Sequence, residues 1–386
     1  MKNILMICPF ARPNMGGVES HLDKLLDFLA KKKVYVYLLT YQPLSLPVRG
    51  QRIEKGKNFE IHRFDWFGVG WFNKFENSFP LTFVYLFPGL FVKSFIFFAK
   101  RSKQINCIHA HGFAAAAIAK VISWFFPIRT VISTHAVYRL PQRPILARII
   151  KWLLSSFDEI LAVSETSKTE LIQIGLDENK IKVHKNWVDL TKFFPKDRNM
   201  SKKQLKLSGK VILFVGRMIE KKGLGFLLKA SEKFKKITFI FIGDGPMKEV
   251  VLEYIRRSNN IIYGGRLRQE KEDEQRKLIN YYRAADIFAT IPTYEEGFGA
   301  VYLESLACGT PVLTSNLGSL PTFLDTSVAR LINPTQKEVD RAISEIFAEK
   351  DTIIKKMQKS CRPYAEKHFS DKNAEVIYNS YDLDLS

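Results

Sequence analysis

Two glutamates lie around a glycine-rich turn late in the chain. Glu296 and Glu304 have seven residues between them, and residues 297–299 read Gly-Phe-Gly. The apolar run at 285–291 predicts a short buried strand before the turn, and an apolar helix is expected after it. Peptide N–H groups and the positive end of the helix dipole attract anions at such a helix start. A glutamate there either caps the helix or serves a bound ligand, and the pattern by itself allows both.

Two basic residues on another loop could bind phosphate. Arg217 and Lys222 lie five residues apart in the segment 215–223, which follows an apolar strand pattern and precedes a helical one. An arginine can donate two parallel hydrogen bonds to one phosphate while a lysine neutralises its neighbour, which suits a diphosphate. The alternative interpretation is a solvated basic turn.

Glycine turns follow two further strand patterns. Gly16 and Gly17 lie between the first apolar run and a helical pattern, where the missing Cβ lets the backbone approach a ligand, although such a pair can equally be structural. Residues 243–246, Gly-Asp-Gly-Pro, follow the strand pattern at 237–242 but lack the third glycine of a dinucleotide-binding fingerprint. We therefore do not expect a nicotinamide-dependent dehydrogenase.

Alternating strand and helix patterns predict the elements that must position these residues. They describe an α/β protein with two doubly wound domains and a cleft between them, because 386 residues exceed what one core usually covers. We expect the domain boundary in the lysine-rich stretch around 196–210. Strands are predicted in the first domain at 3–8, 34–40, 58–63, 105–110, 129–134, 159–163 and 181–185, and in the second at 210–215, 237–242, 260–263, 285–291 and 311–314.

The charge of the chain is strongly positive. The net charge is +20, and residues 1–190 hold 26 Lys and Arg against 14 Asp and Glu, which leaves 33 against 25 for residues 191–386. Anionic lipid and phosphorylated substrates fit this charge. Without an arginine-rich run or a recognisable module, no nucleic-acid partner is expected.

The cysteines and the N-terminus bear on the cellular compartment. The four cysteines lie far apart without a Cys-x-x-Cys pair, which predicts neither a zinc site nor a disulfide framework and fits a reducing cytosol. The N-terminal apolar run is too short for a signal peptide and is interpreted as the first strand.

An aromatic region at 64–98 leaves three alternatives open. Residues 79–99 approach the length of a membrane span, but Pro88 and Gly89 interrupt them and Lys93 lies inside. A span would also separate the strands at 3–8 and 105–110, which one sheet requires on the same side. The other readings are an aromatic core helix and, favoured here, a helix that packs on the domain with one face and contacts anionic lipid with the other.

In its order of motifs the chain resembles the retaining glycosyltransferases of family 4, which have the GT-B fold of two facing Rossmann-like domains. The resemblance covers nearly the whole chain. It rests on Gly-Gly-Val-Glu at 16–19, His-Ala-His-Gly at 109–112, Ser-Thr-His at 133–135, Val-Ser-Glu at 163–165, Gly-Arg-(x)4-Lys-Gly at 216–223, Gly-Asp-Gly-Pro at 243–246, Tyr-Tyr-Arg-Ala-Ala-Asp at 281–286, the two glutamates, and Ala-Cys-Gly-Thr-Pro at 307–311.

The resemblance implies a domain organisation. It gives an acceptor-binding domain over 1–195, a nucleotide-sugar donor domain over 196–365, and a closing helix within 366–386 that packs back on the first domain. Two positions depart from the family pattern, since Thr322 stands where glutamate is usual and Trp187 where glycine is usual.

The resemblance also implies roles for the residues that match. Arg217 and Lys222 would bind the donor diphosphate, and Glu304 would accept hydrogen bonds from the ribose. Glu296 would face the hydroxyls of the transferred sugar, and His135 would lie near the reacting centre. The backbone of Gly16, Gly17, Phe298 and Gly299 would assist at the diphosphate.

Neither a metal ion nor another cofactor is expected for this chemistry. Arg217, Lys222 and the helix dipoles would stabilise the charge that develops on the leaving diphosphate. The Asp-x-Asp motif of metal-dependent glycosyltransferases matches only at 382–384, in the C-terminal tail. In retaining members the departing phosphate is thought to deprotonate the acceptor, so we assign no side-chain base.

The predicted function is therefore retaining transfer of a sugar from a UDP- or GDP-sugar to a glycan or lipid-linked acceptor. It would serve cell-surface polysaccharide, lipopolysaccharide or glycolipid synthesis, in the cytoplasm and in peripheral contact with the inner face of an anionic membrane. The alternatives are a GT-B sugar-nucleotide epimerase or phosphorylase, and a non-enzymatic scaffold that binds nucleotide sugars or membranes.

Overall fold

The computed structural model describes residues 2–14, 16–44, 48–68, 70–75, 78–135, 138–268, 271–296, 299–348 and 352–383. Up to residue 186 the elements are β1 (Asn3–Ile7), α1 (Gly17–Lys31), β2 (Tyr35–Tyr41), β3 (Ile53–Gly56), β4 (Phe59–Phe64), α2 (Trp71–Phe75), α3 (Phe79–Ala99), β5 (Cys107–His111), α4 (Phe113–Phe125), β6 (Arg129–Ser133), α5 (Pro144–Leu154), β7 (Glu159–Ala162), α6 (Glu165–Gln173) and β8 (Ile181–Val183).

The remaining elements follow the same alternation. They are α7 (Arg198–Gln204), β9 (Lys210–Val215), α8 (Leu224–Lys233), β10 (Ile237–Ile242), α9 (Lys248–Arg257), β11 (Ile261–Gly265), α10 (Glu272–Ala284), β12 (Ile287–Thr290), α11 (Ala300–Ala307), β13 (Val312–Ser315), α12 (Leu320–Phe323), β14 (Ala329–Ile332), α13 (Gln336–Ile346), α14 (Thr352–His368) and α15 (Lys372–Ser380).

The chain divides into two compact units, one formed by residues 1–186 with 371–386 and the other by residues 187–370. The first unit contains an eight-stranded sheet of order β3-β4-β2-β1-β5-β6-β7-β8. Its strand pairs are parallel except for β3 with β4. Because parallel strands point the same way, the segments that follow β1, β5, β6 and β8 emerge at one edge of the sheet.

The second unit contains a six-stranded parallel sheet of order β11-β10-β9-β12-β13-β14. Its central strands β9 and β10 are apolar except for Lys210 and Thr238 near their starts, as expected for a sheet covered by helices on both faces. The register Leu213↔Phe288 sets β9 beside β12, so the loops after these two strands open at the same edge. These loops contain Arg217 and Lys222 after β9, and Glu296 after β12.

The predicted doubly wound α/β architecture is confirmed, with two strands that the sequence analysis missed. β3 is short, polar and mostly exposed at the edge of its sheet, and it pairs with β4 in antiparallel fashion. β14 is a four-residue strand at the other unit's edge. Edge strands are covered by fewer neighbours, so their sequences show little apolar pattern.

The division between the units lies closer to the N-terminus than we predicted. Residues 187–195 were expected in the first domain, yet they belong to the second unit. Arg362 of α14 explains this, because its guanidinium donates to the carbonyls of Leu190 and Phe193. The backbone N–H of Val188 also donates to the carbonyl of Phe369. Residues 366–370, predicted to belong with the closing helix, are therefore part of the second unit as well.

The lysine-rich stretch that we predicted to be a linker contains a helix. Asp197 caps α7 by accepting a hydrogen bond from the Met200 backbone N–H at 2.7 Å. Lys202 forms a 2.7 Å ion pair with Asp286. The basic composition thus reflects a short solvated helix docked on the second unit.

The closing helix α15 packs on α1 within the first unit. Lys32 forms a 2.7 Å ion pair with Glu375. Beyond the helix, the Tyr381 hydroxyl and the Nδ1 atom of His109 share a buried hydrogen bond of 2.8 Å. These contacts bind the C-terminal segment to the sheet of the first unit.

Candidate functional site

Two loops at the carboxyl edge of the second unit's sheet are bound to each other. The N–H groups of Ile291 and Thr293 donate to the carbonyls of Lys222 and Lys221, at 3.2 and 2.9 Å. Gly223 makes this approach possible, because it has a φ of +73° and a Cβ there would collide with the carbonyl of Ile291. The loop after β9 is thereby held against the loop after β12.

This contact brings Lys222 and Glu296 together. The Lys222 Nζ atom and the Glu296 Oε1 atom form an ion pair, and only 15% and 10% of the two side chains are exposed. The Tyr302 hydroxyl donates to the other carboxylate oxygen of Glu296 at 2.8 Å, and the Ser319 hydroxyl donates to its carbonyl at 2.9 Å. Glu296 is thus fixed from three segments of the chain.

The protonation states in this cluster follow from burial and charge. Burial alone would lower the pKa of Lys222, but Glu296 and Tyr294 outweigh that effect and the pKa is raised. Burial, reinforced by the charge of Glu296, holds the pKa of Tyr302 well above its usual value. Lys222 therefore remains a cation at neutral pH, and Tyr302 remains a neutral hydrogen-bond donor.

Glu304 lies in the middle of α11, the helix that follows Glu296 in the chain. It is fully buried, and the Tyr282 hydroxyl donates to its Oε2 atom at 3.0 Å. Burial and the neighbouring Glu304 raise the pKa of Tyr282 well above its ordinary value, so the phenol stays protonated. The carboxylate is held as a hydrogen-bond acceptor at a fixed position.

The other residues of this unit that we predicted to bind the donor diphosphate are Arg217, Phe298 and Gly299. Arg217 is exposed on the loop after β9, and its positive charge acts on the Tyr294 phenol. Gly299 immediately precedes α11. Phe298 lies outside the described residues. The geometry of this unit therefore joins Lys222 with Glu296 directly, whereas the roles of Arg217, Gly299 and Phe298 remain predictions.

Gly16 and Gly17 belong to the first unit, at the start of α1. Both are exposed, and Gly17 is the first residue of the helix. The buried Glu19 lies in the first turn, so a carboxylate already occupies the positive end of this helix dipole. Binding of phosphate by this backbone remains a prediction.

His135 follows β6 and belongs to a cluster of histidines that the sequence did not indicate. His111 Nδ1 and His135 Nε2 lie 3.0 Å apart, so one ring donates and the other accepts. The ring of His21 lies 5.5 Å from that of His135 and 5.2 Å from that of His184. With His109, which lies 4.1 Å from His111 between ring centroids, the cluster contains five of the seven histidines in the chain.

Hydrogen bonds orient two rings of this cluster. His21 Nδ1 donates to the Asn186 side-chain oxygen at 2.8 Å. His109 lies between the Ser133 hydroxyl and the Tyr381 hydroxyl, both at 2.8 Å. His109 is the middle residue of β5 and His111 is its last residue.

All five rings are neutral at physiological pH. Burial lowers the pKa of His21 to about 4 and that of His135 to about 3. Burial and the neighbouring rings lower the pKa values of His109, His111 and His184 well below the usual value. His135 can therefore act as a neutral hydrogen-bonding group but does not carry a positive charge.

Sequence reasoning missed the tyrosines that hold the two glutamates. Tyr302 lies six residues after Glu296 within the same motif, and this proximity was a usable signal. Tyr282 lies in α10 and Glu304 in α11, with β12 between the two helices, so nothing in the sequence alone joins them. Among the described residues, no group of three or more His, Cys, Asp or Glu side chains has an arrangement suited to a metal ion.

Two families of known proteins match most of the chain. Residues 209–349 match the family described as Glycosyl transferases group 1, and residues 15–192 match Glycosyltransferase Family 4. The chain belongs to glycosyltransferase family 4. The two matched ranges include the loops after β6, β9 and β12 and the last two residues of the loop after β1.

Curated relatives of this family 4 member include proteins named for phosphatidylinositol and for inositol 3-phosphate. One is the phosphatidylinositol N-acetylglucosaminyltransferase GPI3 subunit of Saccharomyces cerevisiae, 25% identical over 365 residues, covering 88% of this chain and 75% of the relative. Another is the D-inositol 3-phosphate glycosyltransferase of Mycolicibacterium smegmatis, 29% identical over 240 residues, covering 58% and 55%.

Solved structures of GT-B glycosyltransferases share the fold. Sucrose-phosphate synthase of Thermosynechococcus elongatus superimposes with a TM-score of 0.79 at 18% identity, covering 99% of this chain and 98% of the other. HepE of Anabaena, solved with UDP and glucose, gives a TM-score of 0.73 at 19% identity, covering 98% and 99%. The predicted GT-B fold class is thus confirmed.

We expect the histidine cluster to make the free energy of unfolding of the first unit fall in mild acid. Because the folded pKa values lie below the unfolded value of about 6.5, the unfolded chain binds more protons below that pH. The stabilisation is fully present above pH 6.5 and declines as the pH falls towards 4. For each proton that the unfolded chain binds beyond the folded one, the free energy of unfolding falls by about 1.4 kcal/mol per pH unit.

Urea unfolding of the first unit at several pH values between 7.5 and 4.5 measures how steeply its free energy of unfolding changes with pH. His184→Gln removes one cluster histidine and should make the slope shallower. His62→Gln removes a histidine outside the cluster and is the matched control. An unchanged slope in the His184 variant contradicts the assignment.

Proposed function

We propose that the protein is a retaining glycosyltransferase that uses a UDP- or GDP-sugar without a metal cofactor. The carrying observation is the buried pair of Lys222 and Glu296 at the carboxyl edge of the second unit's sheet. Carboxyl edges of parallel sheets are where α/β folds bind nucleotides. Structural neighbours such as HepE were solved with UDP, which supports this donor class.

Lys222 and Arg217 would neutralise the diphosphate that leaves the donor sugar. Their positive charge is already in place before the sugar–phosphate bond breaks, so no reorganisation is needed as negative charge develops on the leaving oxygen. Lys222 forms a hydrogen-bonded ion pair with Glu296. An incoming diphosphate would share or take over this lysine, and Glu296 would turn its acceptor capacity to the hydroxyls of the sugar.

Glu304 and His135 would contribute binding rather than proton transfer. Glu304, held by Tyr282, offers a carboxylate oxygen to the ribose hydroxyls. His135 is neutral and hydrogen-bonded to His111, so it would orient the sugar without attracting the diphosphate. Backbone N–H groups of Gly16, Gly17, Phe298 and Gly299 would complete the diphosphate site by analogy with the family. The leaving phosphate would itself accept the proton of the acceptor hydroxyl.

The acceptor would be a glycan or a lipid-linked molecule of cell-surface polysaccharide or glycolipid synthesis. The relatives named for phosphatidylinositol support a lipid-linked acceptor. The basic first half of the chain fits phosphorylated lipids and an enzyme at the cytoplasmic face of a membrane.

A thermal-shift screen of nucleoside diphosphates and nucleotide sugars tests the donor class. A ligand at 100 times its dissociation constant adds about 2.7 kcal/mol of stability, which raises the melting temperature of the unit that binds it. We expect UDP or GDP and the corresponding sugars to stabilise the protein, with and without EDTA. No stabilisation by any of them would refute the proposal, and loss of stabilisation on adding EDTA would refute metal independence.

Arg217→Ala should lower turnover of the donor found in that screen. Removal of one donor to a developing oxyanion costs on the order of 2–4 kcal/mol of transition-state stabilisation. Lys221→Ala removes a positive charge from the same loop and serves as the control, since its exposed side chain has no assigned role. If both variants turn over the donor at the wild-type rate, Arg217 does not bind the reacting diphosphate.

Glu304→Gln should raise the donor KM and leave kcat nearly unchanged. The amide can keep the hydrogen bond from Tyr282, but it is a weaker acceptor for ribose hydroxyls than a carboxylate. A contact that binds the substrate equally well in the ground state and in the transition state affects KM alone when it is lost, because the barrier of the bound complex does not change. A fall in kcat with unchanged KM would assign Glu304 to the chemical step instead.

A further inference from the structure

One long segment of the chain contains no acidic residue. Residues 77–157 hold ten Lys and Arg and not a single Asp or Glu. The segment includes α3, α4 and α5. Its ten positive charges amount to half of the net charge of +20 for the whole protein. All of these basic side chains except the buried Lys120 are at least partly exposed. Solvated surfaces normally mix both signs, so a segment of one sign this long fits an anionic partner.

The outward face of α3 is apolar along its whole length. Its exposed apolar positions are spaced three and four residues apart, which places them on one side of the helix. Phenylalanines flank this row and stack at four-residue intervals, with centroids 5.4 Å apart for Phe83–Phe87 and 5.3 Å for Phe87–Phe91. The exposed row comprises Leu81, Val84, Pro88, Val92 and Ile96.

The exposed face of α5 carries a second apolar row. Ile145, Ile149 and Trp152 are spaced four and three residues apart, and 75%, 49% and 58% of their surfaces are exposed. Arg148 and Lys151 lie between them in sequence and are exposed as well. An exposed helix face that alternates large apolar and basic side chains is typical of helices that lie in a lipid interface.

The end of α4 joins the two rows. Trp124 and Phe125 are both exposed there. Phe125 lies 6.0 Å from Phe95 of α3, and Trp124 lies 6.5 Å from Trp152 of α5, between ring centroids. The buried sides of all three helices contribute to one core with the sheet, so their opposite sides face away from the sheet together. We call these exposed residues of α3, α4 and α5 the three-helix face.

We propose that the three-helix face docks on an anionic lipid bilayer, with Ile145, Ile149, Trp152, Trp124 and Phe125 inserted at the level of the headgroups. This inference rests on the proposed function for its biological purpose, since it names the surface that would bring the enzyme to a lipid-linked acceptor. The vesicle measurements below do not depend on sugar transfer.

The arrangement favours docking over spanning. By length and composition, α3 could cross a membrane, and 33% of its apolar 18-residue stretch is buried in the protein. However, β1 and β5 flank α3 in sequence and pair directly in one sheet. A helix crossing the bilayer would place these two strands on opposite sides, which their pairing forbids.

Flotation with vesicles of phosphatidylglycerol and phosphatidylcholine measures the docking. The wild-type protein should float with these vesicles at low salt and much less with phosphatidylcholine alone. Arg148→Gln with Lys151→Gln should weaken the partition about thirtyfold, because each basic side chain near an anionic surface contributes about fivefold. Ile145→Gln with Ile149→Gln should weaken it at least about tenfold through lost apolar burial.

Matched variants in the second unit control for charge and hydrophobicity. Lys355→Gln with Lys356→Gln removes two exposed positive charges from α14. Ile353→Gln with Met200→Gln removes two exposed apolar side chains. These variants should float like the wild type. Melting temperatures verify that every variant is folded, which is expected because all the substituted side chains are exposed.

Tryptophan quenching by brominated lipids locates the inserted residues. Trp124→Phe with Trp152→Phe keeps the apolar character and should abolish most of the quenching. Retention in the membrane pellet after alkaline carbonate would instead indicate a spanning helix and overturn the proposal. So would flotation of the α5 variants at the wild-type level, absence of wild-type flotation, or a dimer that the α5 substitutions convert to monomer.

The nucleotide screen separates this inference from the proposed function. Vesicle binding without any nucleotide-dependent stabilisation would leave the docking surface standing and refute the proposed nucleotide-sugar donor. Nucleotide binding without flotation would refute the docking surface alone.

Discussion

The parallel register of the two sheets is the constraint on which the candidate site depends. In a parallel sheet every strand delivers its following loop to the same edge, so residues far apart in sequence meet there. Lys222 and Glu296 meet in this way because β9 pairs with β12. In the first unit, the same rule gathers His111 at the end of β5 with His135 after β6 and His184 after β8. A single insertion in one of these strands would separate the side chains.

The sequence was sufficient for the architecture and for the residues that follow the strands. Central strands such as β9 and β10 each contain five apolar residues out of six, so their pattern is unambiguous. It was insufficient for β3, an exposed and polar edge strand, and for the boundary between the units. That boundary is fixed by hydrogen bonds from Arg362 to a segment about 170 residues earlier, which no local pattern reveals.

The candidate site shows the same division between local and distant signals. Glu296 and Lys222 could be recognised because each lies in a loop after an apolar strand, next to glycines. Tyr282, which holds Glu304, could not, because that contact depends on how α10 packs against α11. Sequence reasoning thus identified the candidate ligand-binding residues more easily than the residues that hold them in place.

The pair of Lys222 and Glu296 also bears on the role of the glutamate. A buried cation needs a partner, and Glu296 supplies it. The Tyr302 hydroxyl and the Ser319 side chain fix the same residue. A group held at three points is suited to positioning a sugar, whereas a general base must give and take a proton freely. This agrees with a mechanism in which the leaving phosphate accepts the proton.

The surface of the first unit cannot be explained by folding alone. The core positions of α3, α4 and α5 must be apolar because they face the sheet, but their exposed positions would tolerate any polar residue. Those positions hold Ile145, Ile149 and Trp152 beside Arg148 and Lys151, and none holds an acid. An exposed isoleucine contributes little to the stability of a soluble domain, and so does an unpaired surface charge. A surface that combines both over three neighbouring helices therefore owes its composition to what it contacts, and an anionic bilayer is the surface that gains from apolar and basic side chains together.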